Sequence, residues 1–206
     1  MSVELYTIGH SNHPIDVFTG LLAMHGIETV CDVRSHLYSG FNPQFNREPL
    51  ARRLGERGIG YVHLGAELGP RTDDHACMVE GLVRYDLLAA TERFRQGLDR
   101  LREIMVARRT VVMCAEKDPL FCHRAVLICR RLRAKNLPIR HIFEDGSIEE
   151  HPDAEQRLLR LLGIPPTDLF ETEEEIIERA YDLQSERIAF LAGEEGVVSS
   201  EEGSEP

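Results

Sequence analysis

The sequence has no tryptophan and no long hydrophobic run, and only 6% of its 206 residues are aromatic. A helix that crosses a bilayer needs about 20 consecutive apolar residues, and the apolar runs here are far shorter. The first residues also lack the basic and then apolar pattern of a secretion signal. We therefore expect a cytoplasmic protein that does not insert into a membrane.

Cysteine is present but lacks the spacing of a structural framework. The count of five is odd and the cysteines are scattered, which argues against a set of disulfides. Structural zinc sites usually contain closely spaced cysteine pairs, and an iron–sulfur cluster needs four converging cysteines; neither pattern occurs. Cys31 and Cys129 have apolar neighbours and fit a core role. The other thiols remain candidates for metal ligands or nucleophiles.

The first 166 residues lack any imbalance of charge. The net charge of −11 belongs entirely to the segment from Thr167 onward, which has thirteen acidic and two basic residues. Because phosphate backbones bind clustered cations, we expect no nucleic-acid contact over a large surface. An apolar stripe in the acidic segment predicts packing on the body of the protein or on a second copy in a homodimer. An adaptor role for this segment is a further hypothesis.

Short apolar runs alternate with amphipathic patterns along the same 166 residues. Strands are predicted at 4–8, 27–33, 61–64, 110–114 and 139–143, an edge strand at 147–149, and helical pattern over 76–108. This alternation is typical of a parallel sheet with helices on both faces. The prediction is a three-layer α/β sandwich with a mostly parallel sheet over 1–166. An acidic amphipathic helix over 167–192 and a disordered acidic tail over 193–206 complete it.

One stretch, from Thr110 to Arg124, concentrates chemically reactive residues. It begins as a buried strand ending near Cys114, continues as a loop through Phe121, and becomes a helix expected to end at Asn136. The junction carries Cys114, Glu116, Cys122, His123 and Arg124. Amide groups at the start of a helix point outward and favour negative charge. The sequence therefore predicts an active site or a metal site here.

Polar residues also follow the ends of the other predicted strands. They are His10, Ser11 and Asn12 after the first strand, Asp32 and Arg34 after the second, and Arg71 after the third. Ligands of parallel sheets bind at the carboxyl ends of the strands, so these residues are expected to face the 110–124 stretch. Ser11 or Asn12 is also expected to cap the helix that begins near Pro14.

Five short motifs belong together in this chain. They are Tyr6-Thr-Ile-Gly-His-Ser11, Asp32-Val-Arg34, Asn42-Pro-Gln-Phe-Asn46, Leu68-Gly-Pro-Arg71 and Cys114-Ala-Glu…Cys122-His-Arg124. Their combination resembles domain-of-unknown-function family 488 over about residues 4–150. The resemblance implies a compact α/β domain and draws attention to the two motif cysteines, and it implies no particular reaction.

The leading interpretation is an enzyme that uses a reactive thiol on a small anionic or nucleotide-like substrate. Cys122 is the candidate thiol and His123 its base, because a cysteine at a helix N-terminus beside cationic side chains ionises readily. Cys114 is a candidate resolving thiol, and Glu116 and Asp32 are candidate acid–base or orienting groups. The candidate substrate-binding residues are Arg124, Arg34, Arg71, His10 and Ser11.

The alternative is a metal-binding domain with a regulatory or nucleic-acid-linked role. Cys114, Cys122 and His123 could supply three ligands to zinc, which favours thiolate and imidazole ligands in a tetrahedral arrangement. The fourth ligand is then expected from Asp32, His10 or Cys31. The sequence alone leaves the reactive thiol and the metal site both open.

Overall fold

The structure, a computed structural model, describes residues 3–133 and 137–198, with side chains described up to residue 189. The strands are β1 (Leu5–Gly9), β2 (Thr29–Asp32), β3 (Gly60–His63), β4 (Met78–Val79), β5 (Leu82–Val83), β6 (Thr110–Cys114), β7 (Ile139–Ile142) and β8 (Ile148–Glu150). Six of them form one sheet in the order β3-β2-β6-β1-β7-β8. Its neighbours are parallel except β7 and β8, which pair antiparallel.

Helices connect these strands and cover the sheet. They are α1 (Ile15–Met24), α2 (Arg47–Glu56), α3 (Gly65–Leu68), α4 (Tyr85–Ala89), α5 (Glu92–Ala107), α6 (Arg130–Arg133), α7 (His151–Leu162) and α8 (Glu173–Val198). A π-helix, Arg124–Cys129, leads directly into α6. The helix predicted after residue 124 is therefore present, but its predicted end at Asn136 lies outside the described residues.

The central strands are buried on both faces, and this creates two apolar cores. Val111 and Met113 of β6 pack with residues of α1 and α2. The alternate residues Val112 and Cys114 face the other core, to which α5, the π-helix, α7 and α8 contribute. Since successive residues of a strand point to opposite faces, β6 separates two helical layers. The predicted three-layer α/β sandwich with a mostly parallel sheet is confirmed.

The loop after β1 differs from the prediction. Pro14, not Ser11 or Asn12, is the N-terminal cap residue of α1, and no side chain caps this helix. Ser11 instead has a positive φ of 48° and directs its hydroxyl toward the Asn12 amide oxygen, 3.4 Å away. The expectation of a Ser11 or Asn12 cap is wrong because the chain turns sharply before it enters the helix.

The helical pattern over 76–108 is correct only in its second half. Thr91 caps α5 by accepting a hydrogen bond from the amide of Phe94, and the predicted apolar face of α5 is buried. Before it, β4 and β5 form a hairpin around Glu80 and Gly81, whose φ angles are 53° and 81°. Two central residues with positive φ are typical of a tight hairpin turn. The prediction of helical structure over 76–108 missed this turn.

The acidic helix α8 packs against the body of the same chain. Its first turn is capped, because the Thr172 hydroxyl and the Glu175 carboxylate accept hydrogen bonds from each other's backbone amides. The buried face is Ile176, Ile177, Ala180, Tyr181, Gln184, Ser185 and Ile188. The apolar stripe predicted from the sequence, Ile176, Ala180, Leu183, Arg187 and Leu191, is right for Ile176 and Ala180, whereas Leu183 is 42% exposed and Arg187 is exposed. The side chain of Leu191 lies outside the described residues.

Helix α8 extends further toward the C-terminus than the predicted helix, which ended at residue 192. This helix continues through Val198, so residues 193–198 of the predicted tail are helical, and residues 199–206 lie outside the described part.

No helix within the described residues has both the length and the apolar character needed to cross a bilayer. A homodimer through α8 stays a prediction.

A chain of buried polar side chains links the middle of the sheet to α8. We call Thr7, His141, His151, Tyr181 and Glu155 the histidine chain. Successive hydrogen bonds in it measure 2.7, 2.9, 3.0 and 3.0 Å. If each histidine carries its proton on Nε2, every donor faces an acceptor, from the Thr7 hydroxyl to the Glu155 carboxylate. The chain therefore needs neutral histidines.

The titration of the histidine chain agrees with this arrangement. Burial, together with the charge of Arg133, lowers the pKa of His151 to about 3. Burial and the neighbouring His151 lower the pKa of His141 well below its ordinary value. Both side chains are consequently uncharged at neutral pH.

Candidate metal centre

Four potential metal ligands meet at the carboxyl end of the sheet. Cys114 is the last residue of β6, Glu116 lies on the following loop, and Cys122 and His123 immediately precede the π-helix. One ligand atom from each residue lies within 4.8 Å of the other three. We call these four residues the CEH cluster. Both cysteines and the histidine are buried.

The distances within the CEH cluster suit a tetrahedral metal ion. His123 Nδ1 lies 3.6 Å from the Cys114 sulfur and 3.8 Å from the Cys122 sulfur. Zinc bonds of about 2.3 Å to sulfur and about 2.0 Å to nitrogen put the two ligand atoms about 3.6 Å apart in a tetrahedron. Cys122 Sγ and Glu116 Oε2 share a hydrogen bond of 2.9 Å, a contact that would lengthen around an ion.

A backbone carbonyl orients the histidine of the cluster. His123 Nε2 lies 3.1 Å from the carbonyl oxygen of Val33. Because a carbonyl can only accept, Nε2 carries a proton, and when the ring is neutral its bare Nδ1 faces the two sulfurs. A histidine that binds a metal usually donates a hydrogen bond from the N–H of its other ring nitrogen in this way.

Arg124 supports the loop that carries Glu116. Its guanidinium donates to the carbonyl oxygens of Glu116 at 2.6 Å and Lys117 at 2.9 Å, and the whole residue is buried. Its backbone amide also points to the Cys122 sulfur, 3.4 Å away. The structure thus places this predicted substrate-binding residue beneath the loop, where it positions the CEH cluster.

Gly9, at the end of β1, allows the same loop to pass very close. A Cβ atom at this position would lie 1.9 Å from the carbonyl oxygen of Glu116. The amides of His10 and Ser11 continue the contact by donating to the carbonyls of Cys114 and Ala115, each at 2.9 Å. Only glycine therefore permits this approach of loop and strand.

Asp32, Arg34 and His10 form a separate network. Arg34 makes two hydrogen bonds to the Asp32 carboxylate, at 2.9 and 2.6 Å, and a third contact of 3.1 Å to His10 Nε2. Tyr61 also donates to Asp32, at 2.8 Å. Burial and the charge of Arg34 lower the pKa of His10 to about 4. The pairing of Asp32 with an arginine follows the sequence-based expectation.

The structure does not bring the predicted fourth ligands into the cluster. Asp32 and His10 contact Arg34, and Cys31 is not among the four grouped residues. Glu116 takes the fourth position in the CEH cluster. The signal for it was its place two residues after Cys114, at the point where the chain leaves the strand.

The two cysteines titrate in opposite directions. Burial opposes ionisation of Cys122, but the Cys114 thiol and the charges of Arg124 and His123 hold the pKa of Cys122 well below its ordinary value. Burial and the neighbouring Cys122 raise the pKa of Cys114 well above its ordinary value. The site therefore favours one thiolate, on Cys122, and one thiol.

The other two members of the cluster respond to that thiolate. Burial acts against the charge on His123, yet the Cys122 charge raises the pKa of His123 overall. Glu116 is an exposed residue, but its carboxylate oxygen reaches the buried thiol; burial there and the Cys122 charge raise the pKa of Glu116. Negative charge in the cluster thus attracts cations.

A cavity of about 230 Å³ gives access to the CEH cluster. All four cluster residues line it. Of the predicted substrate-binding residues, Arg34 and Arg71 line it too. Two further lining residues, Tyr85 and Ile188, could not be predicted from the sequence, because they come from α4 and α8, far from the cluster in the chain. We call this space the inner cavity.

Comparison with known proteins identifies the family of this chain. No curated protein and no solved structure matches the chain. A family model described as Domain of unknown function DUF488 matches residues 14–130, which is more than half of the chain. The matched segment contains the whole CEH cluster. The chain therefore belongs to the family Domain of unknown function DUF488.

Proposed function

We propose that the protein is a metal-dependent enzyme whose CEH cluster holds a zinc ion. The observation that carries this proposal is the convergence of four ligand atoms within 4.8 Å of one another. Two thiols and an imidazole are the ligands that zinc favours, and a carboxylate can complete its coordination. The hydrogen bond from His123 to the Val33 carbonyl supports the same interpretation.

A catalytic centre fits this position better than a structural one. Structural zinc sites are closed by four protein ligands, whereas catalytic sites keep a position for water or substrate. The inner cavity reaches all four residues, and Glu116 comes from a loop, so its carboxylate is the ligand most easily displaced. Zinc would polarise a substrate oxygen or lower the pKa of a bound water.

Glu116 would then act as the proton carrier of the site. Its carboxyl group already shares a hydrogen bond with Cys122, and burial together with the Cys122 charge raises the pKa of Glu116, which favours its protonated form. Arg71, exposed at the inner cavity, would bind a small anionic substrate. The reduced thiols that this site needs agree with a cytoplasmic location.

The decisive experiment is metal analysis of protein purified under reducing, chelator-free conditions. We expect about one zinc per chain that survives dialysis, and strong loss of zinc in Cys114→Ser. Cys77→Ser is the matched control, because Cys77 is also buried but lies outside the cluster. A folded wild-type protein that contains no metal and takes up none would contradict the proposal.

Glu116→Gln separates a catalytic from a structural zinc site. If Glu116 is a displaceable ligand and proton carrier, the variant should keep most of its zinc and lose the ability to take up or release a proton at the site. If the variant loses zinc as completely as Cys114→Ser, all four residues are needed to hold the ion, and the site is structural.

A metal-free thiol enzyme is the second candidate, supported by the lowered pKa of Cys122. In that case the Cys122 thiolate would displace a leaving group from an electrophilic substrate and His123 would protonate that group. Water would then release the bound portion from Cys122, with Cys114 as the thiol partner of the thiolate. Alkylation at pH 6 distinguishes the two functions. Rapid labelling of metal-free, folded wild type that disappears in Cys122→Ser favours the thiol enzyme, whereas labelling only after zinc removal favours the metal centre.

A further inference from the structure

The inner cavity opens into a larger space, which we call the outer cleft. The outer cleft has a volume of about 580 Å³. Both spaces are lined by Ser35, His36, Pro70, Arg71 and Tyr85. Arg71 therefore lies beside both spaces, and a ligand of moderate length would occupy the two together.

Two arginines give the outer cleft a positive character. Arg71 and Arg93 line it, while Asp73 is the acidic residue that lines it. Within the described residues neither arginine forms an ion pair. This is unusual for α5, on which Arg95, Arg100 and Arg102 all pair with carboxylates.

The charge balance around these arginines makes them informative. Residues 1–166 contain as many acidic as basic residues, so carboxylates are present in this part of the chain with which an arginine can pair. Two cations left without partners in a cleft keep their hydrogen-bond donors for a ligand, and a positive cleft concentrates anions near the site. The guanidinium group matches both phosphate and carboxylate.

Helix α8 completes the enclosure. Ile188 lines the inner cavity and Ala189 the outer cleft. Both residues lie beyond the segment that matches the family model. These two apolar residues and the arginines line the same two spaces, so a ligand there would contact both uncharged and cationic side chains.

We infer that the outer cleft binds the anionic end, a phosphate or a carboxylate, of an elongated small-molecule substrate through Arg71 and Arg93. The inference rests on the proposed function, because it places the reacting end of the same molecule in the inner cavity at the CEH cluster. The cleft volume fits the range for small-molecule sites and exceeds what a single free phosphate would fill.

The experiment compares binding of ribose 5-phosphate, gluconate and uncharged ribose to the purified full-length protein by ligand-observed NMR. We expect saturable binding of one anion at least tenfold tighter than ribose. Arg71→Gln and Arg93→Gln should each weaken that binding, Arg71→Gln by about tenfold. Arg95→Gln, on the same helix but outside the cleft, is the control and should change nothing. The preferred anion identifies the phosphate or the carboxylate class.

Measurement of zinc in the same samples separates this inference from the metal centre. Retained anion binding in Cys122→Ser, together with its loss in the arginine variants, supports the outer cleft whether or not zinc is present. Anion binding that disappears in Cys122→Ser but survives in Arg71→Gln and Arg93→Gln would place the anion on the metal and overturn the inference. Equal binding of the anions and ribose would overturn it as well.

Discussion

The CEH cluster and the histidine chain are both buried groups of polar side chains, yet the hydrogen bonding within the two groups differs. In the histidine chain every donor meets an acceptor along a single line from Thr7 to Glu155. In the CEH cluster four ligand atoms face one another, and few protons lie between them. The histidine chain satisfies its own hydrogen bonds, whereas the CEH cluster brings together four atoms that could bind one metal ion.

The histidines of the two groups illustrate this difference. His151 has a pKa lowered to about 3, because burial and Arg133 disfavour its charge. His123 is equally buried, yet the thiolate of Cys122 raises its pKa. Burial alone therefore does not indicate function; the charge of the neighbouring groups decides whether a buried histidine supports the fold or a site.

The largest expected effect separates the two groups by metal affinity. Cys122→Ser removes a thiolate ligand, so zinc affinity should fall by about 1,000-fold, or about 4 kcal/mol. A competition titration with a chromogenic chelator measures this. His151→Leu should bind zinc as tightly as wild type, and a similar loss in both variants would show that the two groups are not independent.

The next effect concerns stability. His151→Leu removes the middle of the histidine chain and leaves His141 and Tyr181 without their shared partner, which should cost about 3 kcal/mol of unfolding free energy. Urea denaturation of metal-free protein measures it. A change below about 0.5 kcal/mol would mean that water or a rearrangement replaces the lost hydrogen bonds.

A smaller effect is expected from pH. The folded-state pKa of His151 is about 3, below the unfolded value, so its contribution to stability is complete above about pH 6.5 and declines as the pH falls toward 3. Between pH 6.5 and 5.0 wild type should lose about 2 kcal/mol more than His151→Leu. Parallel pH curves for the two proteins would be inconsistent with a neutral, buried His151.

The smallest effect tests one end of the histidine chain. Tyr181→Phe removes a hydroxyl but keeps the ring, over which Arg130 and Arg133 lie at 5.5 and 5.7 Å. Glu155 also keeps its ion pair with Arg133. We expect a loss of about 1 kcal/mol with unchanged zinc content. A loss as large as that of His151→Leu would show that the chain fails as one unit.

Regular patterns made much of the fold predictable. The central strands are continuous apolar runs, and the face of α5 repeats with helical spacing, so both follow from the sequence. The hairpin at Glu80 and the polar part of the buried face of α8 were missed, since one depends on a two-residue turn and the other on polar residues that an apolar pattern ignores.

The location of the CEH cluster was predictable because its members lie within ten residues of chain. Its environment was not, because the Val33 carbonyl, Tyr85 and Ile188 are brought in by tertiary packing. The hydrogen bonds that Arg124 donates to the carbonyls of Glu116 and Lys117 could not be predicted from the sequence either. Sequence patterns name the reactive groups, while their partners depend on the folded chain.

Gly9 has a consequence for engineering the protein. The loop with Glu116 rests on a position where a single methyl group would collide with the backbone. Gly9→Ala would have to lift that loop, and with it one arm of the CEH cluster, while the strand and both cores keep their side chains. One methyl group would thus move Glu116 away from Cys114, Cys122 and His123 while the protein stays folded. Such a variant is a starting point for introducing new ligands at this position.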